Sequence, residues 1–97
     1  MDLCSCLGSG STVKIPNMRF NHFLSSYFPD TRYGGARLFA DMLEQARVAE
    51  RLGYHAVSIP EHHLINILLT PAPLQMAVRV AAETERVDIV TAVAVLP

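Results

Sequence analysis

Short apolar segments alternate with stretches of helical periodicity along most of the chain. Three segments are predicted to be β-strands because each is a short run rich in apolar residues: Arg19–Ser25, Ala56–Pro60 and Val87–Leu96. The stretches between them, Arg37–Leu52 and Pro71–Thr84, carry apolar residues at intervals of three and four, the period of a helix packed on one face. The predicted order is therefore strand, helix, strand, helix, strand.

The first predicted helix has a defined apolar face and a defined end. Its apolar face consists of Leu38, Met42, Ala46 and Ala49, widened by Phe39 and Leu43. On the other side, Glu44 and Arg47 are three residues apart and are expected to form a weak, exposed ion pair. Gly53 follows the last periodic residue, where a left-handed helix cap favours glycine.

The second predicted helix begins after a loop and leads into the third strand. Thr70 is predicted to be its N-cap, with Pro71 at the first helical position. The face predicted to be buried consists of Leu74, Ala77, Val78 and Ala81. The third strand, Val87–Leu96, is apolar at nearly every position, as expected of a strand covered on both faces.

This order of elements predicts an α/β fold with parallel strands joined by crossover helices. We interpret residues 18–97 as the first three βα units of a TIM-type (β/α)8 barrel that is incomplete. Residues 1–17 lack any period of 2 or 3.6 and are predicted to be a flexible leader.

Composition excludes several classes of partner. The chain has 97 residues, 51% of them hydrophobic and 18% charged, which fits one globular domain rather than disorder. A net charge of −1 argues against binding of nucleic acid or anionic lipid. No apolar run reaches the roughly 18 residues of a membrane span. Cys4 and Cys6 are interpreted as free thiols, and with no signal-peptide pattern this predicts a cytoplasmic protein.

The candidate site follows the second strand. Ligands of parallel α/β folds bind at the carboxyl ends of the strands, where Glu61, His62 and His63 lie. His62 can act as a general acid or base; the alternative is an exposed or hydrogen-bonded loop histidine. A metal site is disfavoured because successive residues of an extended segment point in opposite directions. The apolar run Leu64–Leu69 either lines a ligand pocket or packs against neighbouring helices.

Five segments, in order and spacing, resemble the N-terminal part of the bacterial luciferase-like, flavin-dependent monooxygenases. They are Asp41–Tyr54, Val57–His63, Leu69–Leu74, Ala82–Arg86 and Thr91–Pro97. The resemblance spans residues 18–97. Its most specific part is the combination of Glu-His-His after the second strand with Thr-Ala-Val-Ala-Val-Leu-Pro at the third.

The resemblance implies a fold, a cofactor and roles for individual residues. Members of the family are (β/α)8 barrels that bind reduced FMN, or in some branches F420, and the flavin branch uses O2 to oxidise small organic substrates. By resemblance, His62 is the catalytic residue beside the flavin ring, where it handles protons, and Glu61 and His63 orient the loop. Ala92 and Val93 are expected to contact the flavin, with a cis peptide bond between them.

The length of the chain departs from the family pattern. A barrel of this class has eight strands and about 250 residues, and its phosphate site commonly comes from loops after strands seven and eight. We therefore expect a truncated fragment that lacks the means to hold the flavin phosphate and is inactive alone. The third strand would be an apolar edge, which favours marginal stability as a monomer and a homo-oligomer formed through that edge.

Two other functions remain open from the sequence. One is a non-enzymatic remnant or interaction module that pairs through its open sheet edge. The other is a fragment of an F420-dependent reductase or dehydrogenase, which would share the fold. The sequence identifies neither the substrate nor the choice between FMN and F420.

Overall fold

A computed structural model describes residues 17–96, which form a three-stranded sheet with two helices. The elements are β1 (Asn21–Phe23), α1 (Gly35–Arg51), β2 (Ala56–Ile59), α2 (Pro73–Ala81) and β3 (Asp88–Thr91), with a 3₁₀ turn at Thr31–Tyr33 before α1. The predicted leader lies outside the described residues apart from Asn17, and so do Cys4 and Cys6.

The sheet has the predicted parallel arrangement, with the strands in the order β1-β2-β3. Phe23 of β1 lies beside Ser58 of β2, which lies beside Val90 of β3. All four residues of β2 are buried because this strand is central. β1 is shorter than predicted, but its pairing extends one residue further, since the Leu24 N–H donates to the Ser58 carbonyl at 2.9 Å.

Helix α1 packs on the sheet through the face that its periodicity predicts. Its buried residues are Leu38, Met42, Leu43, Ala46 and Ala49, and Phe39 packs against the same core. The cap at Gly53 is also confirmed, since its φ is +85°. The Gly53 N–H donates to the Glu50 carbonyl at 3.1 Å, and the Tyr54 N–H donates to the Ala49 carbonyl at 3.0 Å, which together form a Schellman motif.

The prediction of the buried face of α2 is wrong at three of its four residues, and only Ala77 packs against the core. Pro73, Met76 and Val80 are the buried residues, whereas Leu74, Val78 and Ala81 are exposed and Ala77 is half-buried. Because α2 is apolar at most positions, more than one set of residues has helical spacing. Packing against α1 and the sheet selects among these sets, and the sequence pattern does not contain that information.

The prediction of the start of α2 is wrong as well. The helix begins at Pro73 with Ala72 as its N-cap, so Pro71 lies before the helix. Thr70 does not cap it, because its hydroxyl donates to the Leu69 carbonyl and its own carbonyl accepts the His62 N–H at 2.9 Å. Thr70 instead closes the loop that follows β2.

Strand β3 is shorter and more exposed than predicted. It ends at Thr91, and Val90 remains 44% exposed, so β3 is not covered on both faces in the described residues. Its position is fixed by Glu50, one of whose carboxylate oxygens accepts the backbone N–H groups of Glu85, Arg86 and Val87 at 2.9, 2.6 and 3.0 Å. Among residues 17–96, neither α-helix has the length and hydropathy of a membrane-spanning segment.

Charged side chains on the outer surface join the two helices. Arg47 forms the expected pair with Glu44 at 2.7 Å and a second pair with Glu83 at 2.8 Å. Arg79 of α2 also contacts Glu83, at 3.0 Å. The three-membered arrangement of Arg47, Glu83 and Arg79 therefore connects α1 to the end of α2.

Candidate functional site

The candidate residues after β2 and those after β3 lie at the same edge of the sheet. The two strands run parallel, so their carboxyl ends meet there. The Ala92 N–H donates to the carbonyl of Ile59, the last residue of β2, at 2.9 Å. The segments carrying Glu61-His62-His63 and Ala92-Val93 are thus neighbours, as the positions of these residues in the sequence predict.

His62 is held through its backbone rather than its side chain. Its N–H donates to the Thr70 carbonyl at 2.9 Å, and the two residues form an isolated antiparallel bridge. The residue is half-buried, and no other side chain in residues 17–96 forms a hydrogen bond with its imidazole. The main chain therefore fixes the place of His62 while the imidazole remains available to a ligand.

Glu61 and His63 form a pair on the side of the segment opposite His62. Oε1 of Glu61 lies 2.6 Å from Nε2 of His63, as the alternation of side chains along an extended segment allows. Oε2 of Glu61 accepts the Val95 N–H at 2.8 Å. The hydrogen bond from His63 and then that from Val95 hold the pKa of the Glu61 carboxyl below its usual value, so it is ionised at neutral pH.

Ala92 and Val93 form an exposed apolar surface just past β3. Val93 is 50% exposed, and Ala92 is exposed as well although its N–H is bound to β2. The expected cis peptide bond between them is not found, since every peptide bond among the described residues is trans. A cis bond at a residue other than proline costs about 2.5–4 kcal/mol and forms only where the surroundings enforce it.

The loops after β1 and β2 pair with each other beside this edge. The Phe28 N–H donates to the Ile67 carbonyl at 2.7 Å, and the Leu69 N–H donates to the Ser26 carbonyl at 3.0 Å. Within the apolar run Leu64–Leu69, Leu69 packs against the core while Leu64 is fully exposed. Packing against the core is therefore confirmed at Leu69, and the lining of a ligand pocket by this run stays a prediction.

The structure also reveals a polar pair that the sequence pattern did not indicate. The Asn21 amide donates to the Ser58 hydroxyl at 2.9 Å. His22, next to Asn21, faces α1 through a contact of 3.3 Å with Gln45, so Asn21 and Ser58 lie on the sheet face away from the helices. Polar residues in both strands were the available signal, but the pairing of Asn21 with Ser58 depends on the register.

Metal ligands are not clustered in the described residues. No group of three or more His, Cys, Asp or Glu side chains among residues 17–96 is placed to hold a metal ion. At the candidate site, Glu61 pairs with His63 and His62 does not converge with them.

Comparisons with known proteins identify the family. The family model for luciferase-like monooxygenases matches residues 18–97. The chain is also 30% identical over 80 residues to the oxygenase component of a flavin-dependent trigonelline monooxygenase from Acinetobacter baylyi. The matched region covers 82% of this chain and 22% of that relative, so the chain spans about a fifth of the relative's length. With this match over most of its length and with the parallel sheet and edge described above, the chain belongs to the luciferase-like monooxygenase family.

Proposed function

We propose that this chain provides part of the flavin-ring site of a flavin-dependent monooxygenase that uses reduced FMN and O2 on a small organic substrate. The observation that carries the proposal is the exposed apolar surface of Ala92 and Val93, held at the end of β2 by the hydrogen bond from the Ala92 N–H to the Ile59 carbonyl. A flat aromatic ring is bound by apolar walls together with a few well-placed polar groups. When bound, reduced flavin supplies the electrons needed to activate O2.

Each candidate residue at the carboxyl ends of β2 and β3 has a separate role in this proposal. Ala92 and Val93 form one wall against which the ring packs. His62 holds or moves a proton at its imidazole, with which no described side chain forms a hydrogen bond. FMN is favoured over F420 because the Acinetobacter relative is named as a flavin-dependent enzyme. An F420-dependent reductase or dehydrogenase is the alternative with the same fold.

Two valines allow a matched test of the ring site. Val93 is 50% exposed at the candidate site, and Val78 is 72% exposed on α2, away from it. Lumiflavin, which has the flavin ring without the phosphate chain, is titrated into wild type, Val93→Asp and Val78→Asp, and binding is followed by flavin fluorescence. We expect Val93→Asp to weaken binding at least about tenfold, since a carboxylate against an apolar ring loses its hydration.

Two outcomes decide the proposal. Unchanged lumiflavin affinity in Val78→Asp, together with the loss in Val93→Asp, supports the site. Equal affinities in all three proteins would show that the ring does not bind at Val93. Similar affinities for FMN and lumiflavin are also expected, because the proposed contacts involve the ring alone. Much tighter binding of FMN than of lumiflavin would show a phosphate site that we do not propose.

An open strand edge supports a second proposal, self-association. Among the described strands, β3 pairs with β2 on one side only, and Val90 is 44% exposed. Unpaired backbone groups on such an edge favour addition of a strand from another chain. Val90→Lys should lower the mass measured by sedimentation, whereas Val78→Lys should not; a wild-type chain that is monomeric at all concentrations would contradict this proposal.

A further inference from the structure

Both carboxylate oxygens of Glu61 are hydrogen-bonded, and they bind groups from different segments. Oε1 accepts from Nε2 of His63 at 2.6 Å in the loop after β2. Oε2 accepts the backbone N–H of Val95 at 2.8 Å in the segment after β3. The side chain of Glu61 is only 9% exposed, whereas that of His63 is 48% exposed. Glu61 is therefore a nearly enclosed bridge between the two segments of the candidate site.

The bridge from Glu61 fixes the protonation pattern of His63. An ionised carboxylate has only acceptors, so the nitrogen that faces it must carry a proton. Nε2 of a neutral His63 is therefore the protonated nitrogen, and Nδ1 is left as the acceptor. A carboxylate that orients an imidazole and selects its tautomer is a recurrent feature of sites in which histidine exchanges protons.

The bridge also completes the attachment of the segment that contains Val93. On one side of Val93, Ala92 is bound to Ile59 of β2 through its backbone N–H, at 2.9 Å. On the other side, Val95 is bound to Glu61. Val93 thus lies between two anchors, and only the anchor at Val95 is a side-chain contact that a substitution can remove.

We infer that Glu61 is the positioning residue of the candidate site. It holds Val93 beside the end of β2 and His63 in its Nε2–H tautomer. The inference deepens the proposed function and rests on it. Glu61 does not touch the ring in this account. It acts through the Val95 backbone and the His63 imidazole, which lie on either side of its carboxylate.

Glutamine is the informative substitution because it keeps the size of glutamate and removes one acceptor. A glutamine amide has one carbonyl oxygen and one NH2 group, so it cannot accept at both ends. In Glu61→Gln, the new amide has two possible orientations. If its oxygen faces Val95, its NH2 group faces Nε2 of His63, which must then accept, so the tautomer is reversed. An oxygen turned towards His63 instead leaves the Val95 N–H without its acceptor.

The test uses the full chain labelled with 15N, without flavin. The nitrogen shifts of the His63 imidazole report the tautomer, and hydrogen exchange reports protection of the Val95 amide. In wild type, we expect the Nε2–H tautomer and a protected Val95 amide. In Glu61→Gln, we expect either the reversed tautomer or exchange at Val95 at least about tenfold faster, with exchange in α1 unchanged as evidence that the fold is intact.

Glu85→Gln is the matched control, because Glu85 is exposed and the charge change is the same. It should leave both signals as in wild type. An unprotected Val95 amide or the Nδ1–H tautomer in wild type would overturn the inference, as would a Glu61→Gln variant that is identical to wild type in both signals.

A lumiflavin titration of the same samples separates this inference from the proposed function. Binding by wild type that weakens at least about fivefold in Glu61→Gln supports the positioning role. Lumiflavin affinity that is equal in both proteins overturns the positioning role alone. Absence of binding by wild type overturns the proposed function, and the tautomer and exchange signals then still show whether the bridge exists.

Discussion

Two valines in α2 differ in burial although they are only two residues apart. Val80 is 0% exposed and belongs to the core between the helices and the sheet. Val78 is 72% exposed. Replacing either by alanine removes the same two methyl groups from the same helix, so the difference between the two variants measures burial at these positions.

The size of the difference follows from the buried groups. Burying a methylene-sized group contributes about 0.8 kcal/mol, so the two methyl groups of Val80 contribute about 1.6 kcal/mol before the cavity is counted. With the cavity, Val80→Ala should cost about 2–3 kcal/mol. Val78→Ala should be nearly neutral, because little apolar area is lost and alanine gains about 0.5 kcal/mol of helix propensity. That gain cancels between the two variants, and subtracting the small packing loss at Val78, about 0.5 kcal/mol, leaves a difference of about 1.5–2.5 kcal/mol.

Thermal unfolding followed by circular dichroism measures this difference. For a chain of this size, 1 kcal/mol shifts the Tm by about 4–8 °C, so Val80→Ala should melt about 6–20 °C below Val78→Ala. Both variants are measured at one protein concentration, because self-association raises the apparent stability. Equal Tm values, or a lower Tm for Val78→Ala, would show that α2 does not pack through Val80.

Three further predictions concern other parts of the molecule. Gly53→Ala should cost about 1–2 kcal/mol of the free energy of unfolding, because φ is +85° and nothing lies near the added methyl group; Gly53→Asn should cost less in the same thermal assay. The pKa of Glu50 is lowered chiefly by the backbone N–H of Arg86. The contribution of Glu50 to the free energy of unfolding is therefore complete above pH 4.5 and is lost as pH falls through the lowered pKa of the folded state. The urea midpoint should drop on acidification, and it should drop less in Glu50→Gln. In a complete barrel that includes these residues, His62→Ala should lower kcat for O2-dependent turnover about 10²–10⁴-fold. His55→Ala should not, because His55 contacts Asp88 at the opposite ends of the strands.

The features that the sequence predicted correctly are those that local pattern determines. The apolar face of α1 is confirmed because charged residues occupy its other side and leave one orientation for the helix. Gly53 is confirmed because a positive φ strongly favours glycine. The parallel order of the strands is confirmed because a helix between successive strands permits that pairing.

The features that were predicted wrongly depend on contacts between distant residues. In α2, apolar residues surround most of the helix, so periodicity could not separate Val78 from Val80. Thr70 has the sequence features of an N-cap, but its carbonyl binds His62 and its hydroxyl binds Leu69. The link from Glu61 to Val95 could not be predicted, because one partner is a backbone N–H that carries no sequence signal.

The most direct test of the flavin-ring site is the intermolecular nuclear Overhauser effect between the ring methyl groups of lumiflavin and the methyl groups of the protein. Val78 on α2 is an exposed apolar side chain of similar chemistry outside the candidate site, and it serves as an internal reference. The account predicts contacts from the ring to Ala92 and Val93 and none to Val78. Contacts to Val78 alone, or equal contacts to all three residues, would contradict the assignment of the ring site.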